Sequence, residues 1–176
     1  MKHKNTILLA LLVAGIALAF FTVSRTTTDK VVADHSRKAP SFEVADLGSG
    51  SKVSSADLQG KVVFVNFWAS WCQPCKDEMS SVDQLYREKQ SSKNFVMLTI
   101  LYKDSPSNAV DLMKANGYSF PVYADVGENS ARAFGVTGVP ETYIIDKNGT
   151  LRKRVIGPAE WTAPEEKALI DALLKE

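Results

Sequence analysis

Nine consecutive residues, Phe67-Trp68-Ala69-Ser70-Trp71-Cys72-Gln73-Pro74-Cys75, contain both cysteines of the 176-residue chain. Residues 62–67, which lead into this stretch, form a nearly continuous run of β-branched and aromatic side chains. Such a run predicts a strand buried on both faces. From Cys75 onward, apolar residues recur with helical spacing, which predicts a helix ending near Gln90. The two thiols therefore lie between a buried strand and the start of a helix.

The position of Cys72 favours a reactive thiolate. A thiol at a helix N-terminus is surrounded by unpaired backbone N–H groups and by the positive end of the helix dipole. Such surroundings lower a cysteine pKa from about 8.5 into the range of roughly 3.5–7.5, and the thiolate is the form that attacks disulfides. Two intervening residues let the Cys75 sulfur reach Cys72, and Pro74 fits the first helical turn without losing a hydrogen bond. Trp71 would cover the site with an aromatic surface on which a peptide can dock.

Other uses of the cysteine pair are less favoured. A static disulfide across two residues restrains little of the unfolded chain. A copper or zinc module needs further ligands, and both histidines, His3 and His35, lie far from the pair. The chain carries 21 Lys+Arg against 20 Asp+Glu, a formal net charge of +1, which offers no electrostatic footprint for nucleic acid. We therefore expect neither a metal nor a nucleic-acid partner.

The N-terminal residues predict a membrane anchor. Residues 7–23 form an uncharged apolar run, about 26 Å of helix, near the short end of a bilayer span. Lys2 and Lys4 precede this run and favour an N-terminus in the cytoplasm. A cleaved signal peptide is the alternative, because Ala17-Leu18-Ala19 resembles a cleavage site, although the apolar run continues past it. The predicted organisation is an anchor at residues 1–23, a flexible linker at 24–39 and a folded domain at 40–176.

Hydrophobic periodicity and turn residues predict the remaining elements. The predicted strands are residues 42–47 and 52–53 as one hairpin, 95–101, 121–123, and 142–146 with 151–156 as a second hairpin around Asn148-Gly149. The predicted helices are residues 106–116, 129–134 and a last helix from Thr162, where Glu165 completes a capping-box pattern. This order predicts the α/β class, with a central mixed sheet and helices on both faces.

Two motifs carry a resemblance to known proteins. The nine-residue stretch resembles the active-site motif of the thioredoxin superfamily, and Gly138-Val139-Pro140-Glu141-Thr142-Tyr143 resembles the cis-proline loop of that fold. More narrowly, residues 40–176 resemble the membrane-anchored TlpA/ResA/CcmG (DsbE) group. The segments that match the start of that group and of the peroxiredoxins are Ala39-Pro40-Ser41-Phe42 and Leu58-Gln59-Gly60-Lys61, and those that favour CcmG are Tyr102-Lys103-Asp104 and Pro140-Glu141-Thr142. The resemblance implies a thioredoxin-like fold, an N-terminal β-hairpin and one transmembrane helix.

The resemblance also implies a role for each matching residue. Cys72 is the exposed nucleophile that forms a mixed disulfide with the substrate, and Cys75 is the resolving thiol. Pro140 is cis and faces the sulfurs, which leaves the Val139 backbone free to pair with a substrate strand. A trans proline that ends a loop is the alternative. Trp71 and Val139 contact the substrate, and Glu141 is either an acid in the substrate groove or an edge-strand residue.

Asn66 departs from ordinary thioredoxins, which carry a buried aspartate at this position as a proton acceptor. The group named above also lacks that aspartate and uses a glutamate of the active-site helix, which matches Glu78. Glu78 follows Cys75 by three residues and shares its helical face, so it can take or return the Cys75 proton. The alternative is an exposed acid that stabilises the first turns of the helix.

By resemblance, the expected activity is that of a thiol–disulfide oxidoreductase on the outer face of the bacterial cytoplasmic membrane. The expected client is an apocytochrome c, whose CxxCH cysteines must be reduced before haem attachment. Thiols are oxidised in that compartment, so a membrane-embedded CcdA/DsbD-type donor must supply electrons, and no free cofactor is implied. The domain is expected to be monomeric. The alternatives are a less specialised exported reductase or oxidase, a peroxide-reducing enzyme and, in another class, a copper-binding module.

Overall fold

The computed structural model describes residues 37–176. Its strands are β1 (Glu43–Asp46), β2 (Lys52–Ser54), β3 (Val62–Trp68), β4 (Phe95–Leu101), β5 (Val122–Ala124), β6 (Glu141–Ile145) and β7 (Leu151–Ile156). Its helices are α1 (Gln73–Lys89), α2 (Pro106–Asn116), α3 (Asn129–Phe134) and α4 (Pro164–Lys175). The predicted anchor at residues 1–23 lies outside the described residues. Among residues 37–176, no helix is long and apolar enough to cross a bilayer.

The strands form one seven-stranded sheet in the order β2-β1-β5-β4-β3-β6-β7. β3, β4 and β5 run parallel, and the remaining neighbours pair antiparallel. Every residue of β3 is buried, which explains why its sequence is continuously apolar instead of alternating. The mixed sheet and both hairpins that the sequence predicts are confirmed.

Helices cover both faces of the sheet, as predicted. Alternate side chains of β3 point to opposite sides. Phe64 and Trp68 pack in one core with residues of α1, α2 and α4, whereas Phe67 packs in a second core with residues of α3. Trp161, which follows β7, packs edge-on against Phe64 in the first core. The first core therefore brings α1 and the chain after β7 to the same face of the sheet.

The last helix begins two residues later than the sequence predicts. α4 starts at Pro164, with Ala163 as an extended N-cap residue and no side-chain cap, so the predicted capping box of Thr162 and Glu165 is wrong. The residue before a proline avoids the helical conformation, and proline itself fits the first helical position. The Thr162 hydroxyl instead donates a hydrogen bond to the Glu160 carboxylate.

Residues 37–39, predicted to end the flexible linker, pair with the chain at the start of β7. The Leu151 N–H donates to the Arg37 carbonyl at 2.9 Å, and Lys38 forms an antiparallel bridge with Thr150. β7 is an edge strand, so its outer N–H and C=O groups are available for such bonds. Residues 37–39 therefore already pair with the folded domain, ahead of its predicted start at residue 40.

Candidate active site

Cys72 and Cys75 form a disulfide at the N-terminus of α1. Cys72 is the N-cap residue of this helix, and its sulfur accepts a hydrogen bond from the Cys75 N–H at 3.1 Å. A sulfur in this position meets the unpaired N–H groups and the positive end of the helix dipole, which stabilise a thiolate. Pro74 lies in the first turn, where its missing N–H costs no hydrogen bond. The geometry therefore favours Cys72 as the sulfur that attacks or leaves as a thiolate.

The disulfide is more covered than the resemblance implies. Only 4% of Cys72 is exposed and Cys75 is fully buried, although Cys72 is expected to be an exposed nucleophile. The Cys72 sulfur lies 3.5 Å from the Val139 carbonyl oxygen, which covers it on one side. Trp71 is 59% exposed and provides an aromatic surface beside the pair. Of the two cysteines, Cys72 is therefore the less enclosed.

The proline loop lies against the disulfide through Val139. The Val139–Pro140 peptide bond is cis, as the resemblance implies. Val139 precedes β6, which begins at Glu141, so its main chain lies outside the strand ladder. Main chain in this position, beside a reactive sulfur, suits the pairing of a client strand by β-addition. The Pro140 carbonyl accepts the Gly157 N–H at 2.9 Å, which ties the loop to the end of β7.

The loop after β4 holds the residues that precede Cys72. The Asp104 carboxylate accepts the Ser70 N–H at 2.6 Å, and the Lys103 carbonyl accepts the Trp71 indole N–H at 3.1 Å. Burial raises the pKa of the Asp104 carboxyl, but its hydrogen bonds from Ser70 and from the start of α2 outweigh burial and hold that pKa below the ordinary value. Asp104 is therefore an ionised anchor for the loop that carries Trp71.

Glu78 is a buried acid one turn along α1 from Cys75, with 3% of its surface exposed. Its Oε1 accepts the Asn66 Nδ2–H at 2.9 Å. Its Oε2 accepts the Ala159 N–H at 2.9 Å and the Trp161 indole N–H at 3.2 Å. Burial raises the pKa of Glu78 from 4.5 to about 7, while these hydrogen bonds oppose the rise. The alternative of an exposed, helix-stabilising acid is wrong, and a carboxyl with this pKa can exchange a proton near neutral pH.

Sequence reasoning missed two partners of Glu78, Ala159 and Trp161. They lie 81 and 83 residues after Glu78 in the chain. Trp161 is fully buried, and its backbone N–H donates to the Ser81 hydroxyl at 3.1 Å. The one local signal is a tryptophan shortly after a Gly-Pro turn, because a buried indole N–H needs an acceptor. That signal does not identify Glu78 as the acceptor.

Glu141 points to the face of the sheet opposite Glu78. It is 1% exposed, and its Oε1 accepts the Arg154 Nε–H and the Tyr143 hydroxyl, both at 2.5 Å. Its strand, β6, lies between β3 and β7 and is not an edge strand. Neither of the two expectations for Glu141, a groove acid or an edge-strand residue, describes this position. An internal ion pair with Arg154 satisfies the buried carboxylate.

Within the part of the chain that the structure describes, no group of three or more His, Cys, Asp or Glu side chains converges on one point as a metal centre requires. Cys72 and Cys75 are bonded to each other. The chemistry available at this site is thiol–disulfide exchange assisted by a buried acid.

Known proteins are similar to this chain in sequence and fold. The sequence profile of the AhpC/TSA family matches residues 36–154. The chain belongs to the AhpC/TSA family. It is 32% identical over 157 residues to the thiol-disulfide oxidoreductase ResA of Bacillus thuringiensis (strain Al Hakam), covering 88% of this chain and 90% of that protein. It is 30% identical over 160 residues to ResA of Bacillus subtilis (strain 168), covering 89% of this chain and 88% of that protein.

A solved structure is similar to this chain in fold. A Chlorobium tepidum protein provisionally named thiol:disulfide interchange protein DsbE superposes with a TM-score of 0.70 and 27% identity, covering 81% of this chain and 99% of that one. These relatives confirm the thioredoxin-like α/β fold. The chain is a thiol–disulfide oxidoreductase of the ResA/DsbE type, and its redox pair is Cys72–Cys75.

Proposed function

We propose that this chain is a reductant for disulfides of exported proteins, with apocytochrome c as its client. The observation that carries the proposal is the buried Glu78, whose pKa is raised to about 7 by burial, one helical turn from the buried Cys75. Such an acid can accept the proton that the Cys75 thiol must lose before it attacks. The resemblance to ResA and CcmG supports the choice of client, whose CxxCH cysteines must be reduced before haem is attached.

The proposed cycle begins with the reduced protein. The Cys72 thiolate attacks one sulfur of the client disulfide, which forms a mixed disulfide and releases the other client sulfur as a thiolate. Glu78 accepts the proton of the Cys75 thiol, and the Cys75 thiolate attacks the Cys72 sulfur. This step forms the Cys72–Cys75 disulfide and releases the second client thiolate. Two electrons pass to the client, and its two thiolates gain protons from Glu78 and from solvent.

The surface around Cys72 binds the client. The Val139 main chain beside the sulfur accepts a strand of the client, and Pro140 keeps that main chain against the disulfide. The exposed Trp71 packs against residues flanking the client cysteine. Glu141 is enclosed on the other face of the sheet, so it does not contact the client. It affects the proline loop only by stabilising the fold.

The location of the enzyme is part of the same proposal. Residues 1–23 anchor the chain in the bacterial cytoplasmic membrane with the N-terminus inside, and a linker joins this anchor to a monomeric domain on the extracytoplasmic side. Thiols are oxidised there, so a membrane-embedded CcdA/DsbD-type dithiol reduces the Cys72–Cys75 bond after each cycle. No free cofactor takes part.

Trapping of the client tests this function. Cys75→Ala removes the resolving thiol, so Cys72 should retain its partners as mixed disulfides, and mass spectrometry of non-reduced complexes from native cells should identify apocytochrome c peptides. Cys72→Ala is the matched control and should trap nothing, because Cys75 is buried. Trapping by Cys72→Ala alone would reverse the two roles. Rapid hydrogen peroxide consumption by the wild-type chain would favour a peroxidase instead.

A further inference from the structure

Within residues 37–176, every hydrogen bond to the carboxylate of Glu78 comes from a nitrogen donor. Ala159 and Trp161 donate to Oε2, and Asn66 donates to Oε1. This arrangement suits the ionised acid, which only accepts. The protonated acid has an O–H that needs an acceptor, and a buried O–H without one is strongly unfavourable. The surroundings of Glu78 must therefore change when it gains the proton that the proposed cycle assigns to it.

Only one of the three donors can become an acceptor. A backbone N–H and an indole N–H can only donate, which fixes Ala159 and Trp161 in their present role. The Asn66 carboxamide has a donor at one end and an acceptor at the other. Its Nδ2 donates to Glu78 and also to the Thr142 hydroxyl at 2.8 Å. That hydroxyl can accept or donate, so it can follow a reversal of the carboxamide.

We propose that the Asn66 carboxamide rotates by half a turn when Glu78 is protonated, and that Asn66 is thereby the positioning residue that serves both states of the acid. In the rotated state Oδ1 accepts the Glu78 O–H and the Thr142 O–H. Glu78 Oε2 keeps its bonds from Ala159 and Trp161. This proposal rests on the proposed proton-accepting role of Glu78.

In the described part of the chain, no charged side chain takes this role from Asn66. The groups that face the Glu78 carboxyl are neutral on every packed element: Asn66 from β3, and Ala159 and Trp161 from the chain after β7. On α1 itself, Ser81 bonds the backbone carbonyl of Glu78 and not its carboxyl. Among residues 37–176, no salt bridge includes Glu78.

Two acids that adjoin these partners in sequence, Glu141 beside Thr142 and Glu160 between Ala159 and Trp161, are engaged elsewhere. Glu141 pairs with Arg154 on the opposite face of the sheet, and the Glu160 carboxylate accepts from Thr162. Cys72 and Cys75 carry no charge while they are joined as a disulfide.

The proposal explains why asparagine suits position 66. An ionised aspartate there could only accept, and it would place a second acid within hydrogen-bond distance of Glu78, so that only one of the two could easily carry a charge. An apolar residue would serve neither state of the acid. A carboxamide presents a donor to the carboxylate and an acceptor to the carboxylic acid at one position.

NMR of the oxidised full-length chain tests the rotation. In the present arrangement the Asn66 Nδ2 protons face Thr142, so nuclear Overhauser effects should join them to the Thr142 γ-methyl group above about pH 8. Below about pH 6, on the other side of the Glu78 pKa of about 7, these effects should fall by at least half. The Glu78 side-chain carboxyl ¹³C shift reports proton uptake in the same sample. Overhauser effects that stay constant while that shift titrates would overturn the proposal.

A second arm of the NMR experiment requires neither a pH titration nor a client protein. In Glu78→Gln, Ala159 and Trp161 select the oxygen of the new carboxamide, so its NH₂ faces position 66 and requires Asn66 to present Oδ1. We therefore expect the Overhauser effects to be lost at every pH, and their persistence would contradict the rotation. Glu88→Gln, an exposed acid of the same helix, should behave as the wild type. Since this arm involves no redox chemistry, failure of client trapping and failure of the rotation are distinguishable.

Discussion

At the residue scale, Glu78 links stability to pH. Burial raises its pKa to about 7 in the folded protein, against an ordinary value of 4.5. Between these values the folded state keeps a proton that the unfolded state has lost, so the free energy of unfolding falls as pH rises. We expect this fall to be greater in the oxidised wild type than in Glu78→Gln, by on the order of 3 kcal/mol across the interval. Urea unfolding from pH 4.5 to pH 7.5 measures it.

An exposed acid of the same helix provides the control. Asp77 lies on the surface of α1, where it accepts a hydrogen bond from Gln73. Asp77→Asn should keep the pH dependence of the wild type. If Glu78→Gln also keeps it, Glu78 has the same pKa in the folded and unfolded chain, and its proposed role as a proton acceptor near neutral pH is lost.

At the scale of elements, Asp104 joins the end of β4 and the start of α2 to the loop before α1. Its carboxylate accepts N–H groups from Ser70, Ser105 and Asn108. Asp104→Ala leaves these donors without their acceptor, so we expect a loss of about 1–3 kcal/mol in the free energy of unfolding at neutral pH. The pKa of Asp104 is held low, so the difference from wild type should shrink as pH falls below its ordinary value of 3.8. Urea unfolding of both proteins at neutral pH and below pH 3.8 checks this.

The matched control for this substitution lies on α2. Asp111 is exposed there, and Asp111→Ala should change the free energy of unfolding by no more than about 0.5 kcal/mol. A loss of the same size in both variants would show that the Asp104 contacts add nothing beyond a general effect of charge.

The helices and strands were predictable where the sequence has both a hydrophobic pattern and a residue that ends the element. β4, α2 and α3 have the predicted bounds, and α2 ends at a glycine in the left-handed conformation, Gly117. The start of α4 was not predictable from the capping pattern at Thr162. Pro164 favours the first helical position, and the helix begins there. Local patterns fail where two of them disagree.

At the scale of the whole molecule, the sequence predicts the reactive groups but not their surroundings. Cys72, Cys75 and Glu78 lie within seven consecutive residues, so spacing alone brings them together. The enclosure of Glu78 depends on topology, because Trp161 reaches it only after the second hairpin has been added to the sheet. The same holds for Glu141, whose burial depends on an arginine of the neighbouring strand, Arg154. Contacts between distant segments have no signature in a single local pattern.

The proposed anchor predicts where the whole chain is found. Ile16→Arg puts a charge near the middle of residues 7–23, at a cost of roughly 2.5–3.5 kcal/mol for insertion. We expect the wild-type chain to remain in carbonate-washed membranes and Ile16→Arg to be at least partly lost from them. Thr27→Arg, in the linker, should fractionate as the wild type. A wild-type chain that is fully removed by carbonate would contradict the anchor.

The pairing of β3 with β6 has a consequence for synthesis. Asn66 meets Thr142 only 76 residues later in the chain, so both cysteines have been made long before the sheet around them can close. An oxidant can therefore reach the nascent thiols before folding protects them. With two cysteines in the whole sequence, the only intramolecular bond available is the native one. Early oxidation within one chain thus produces no mispaired isomer.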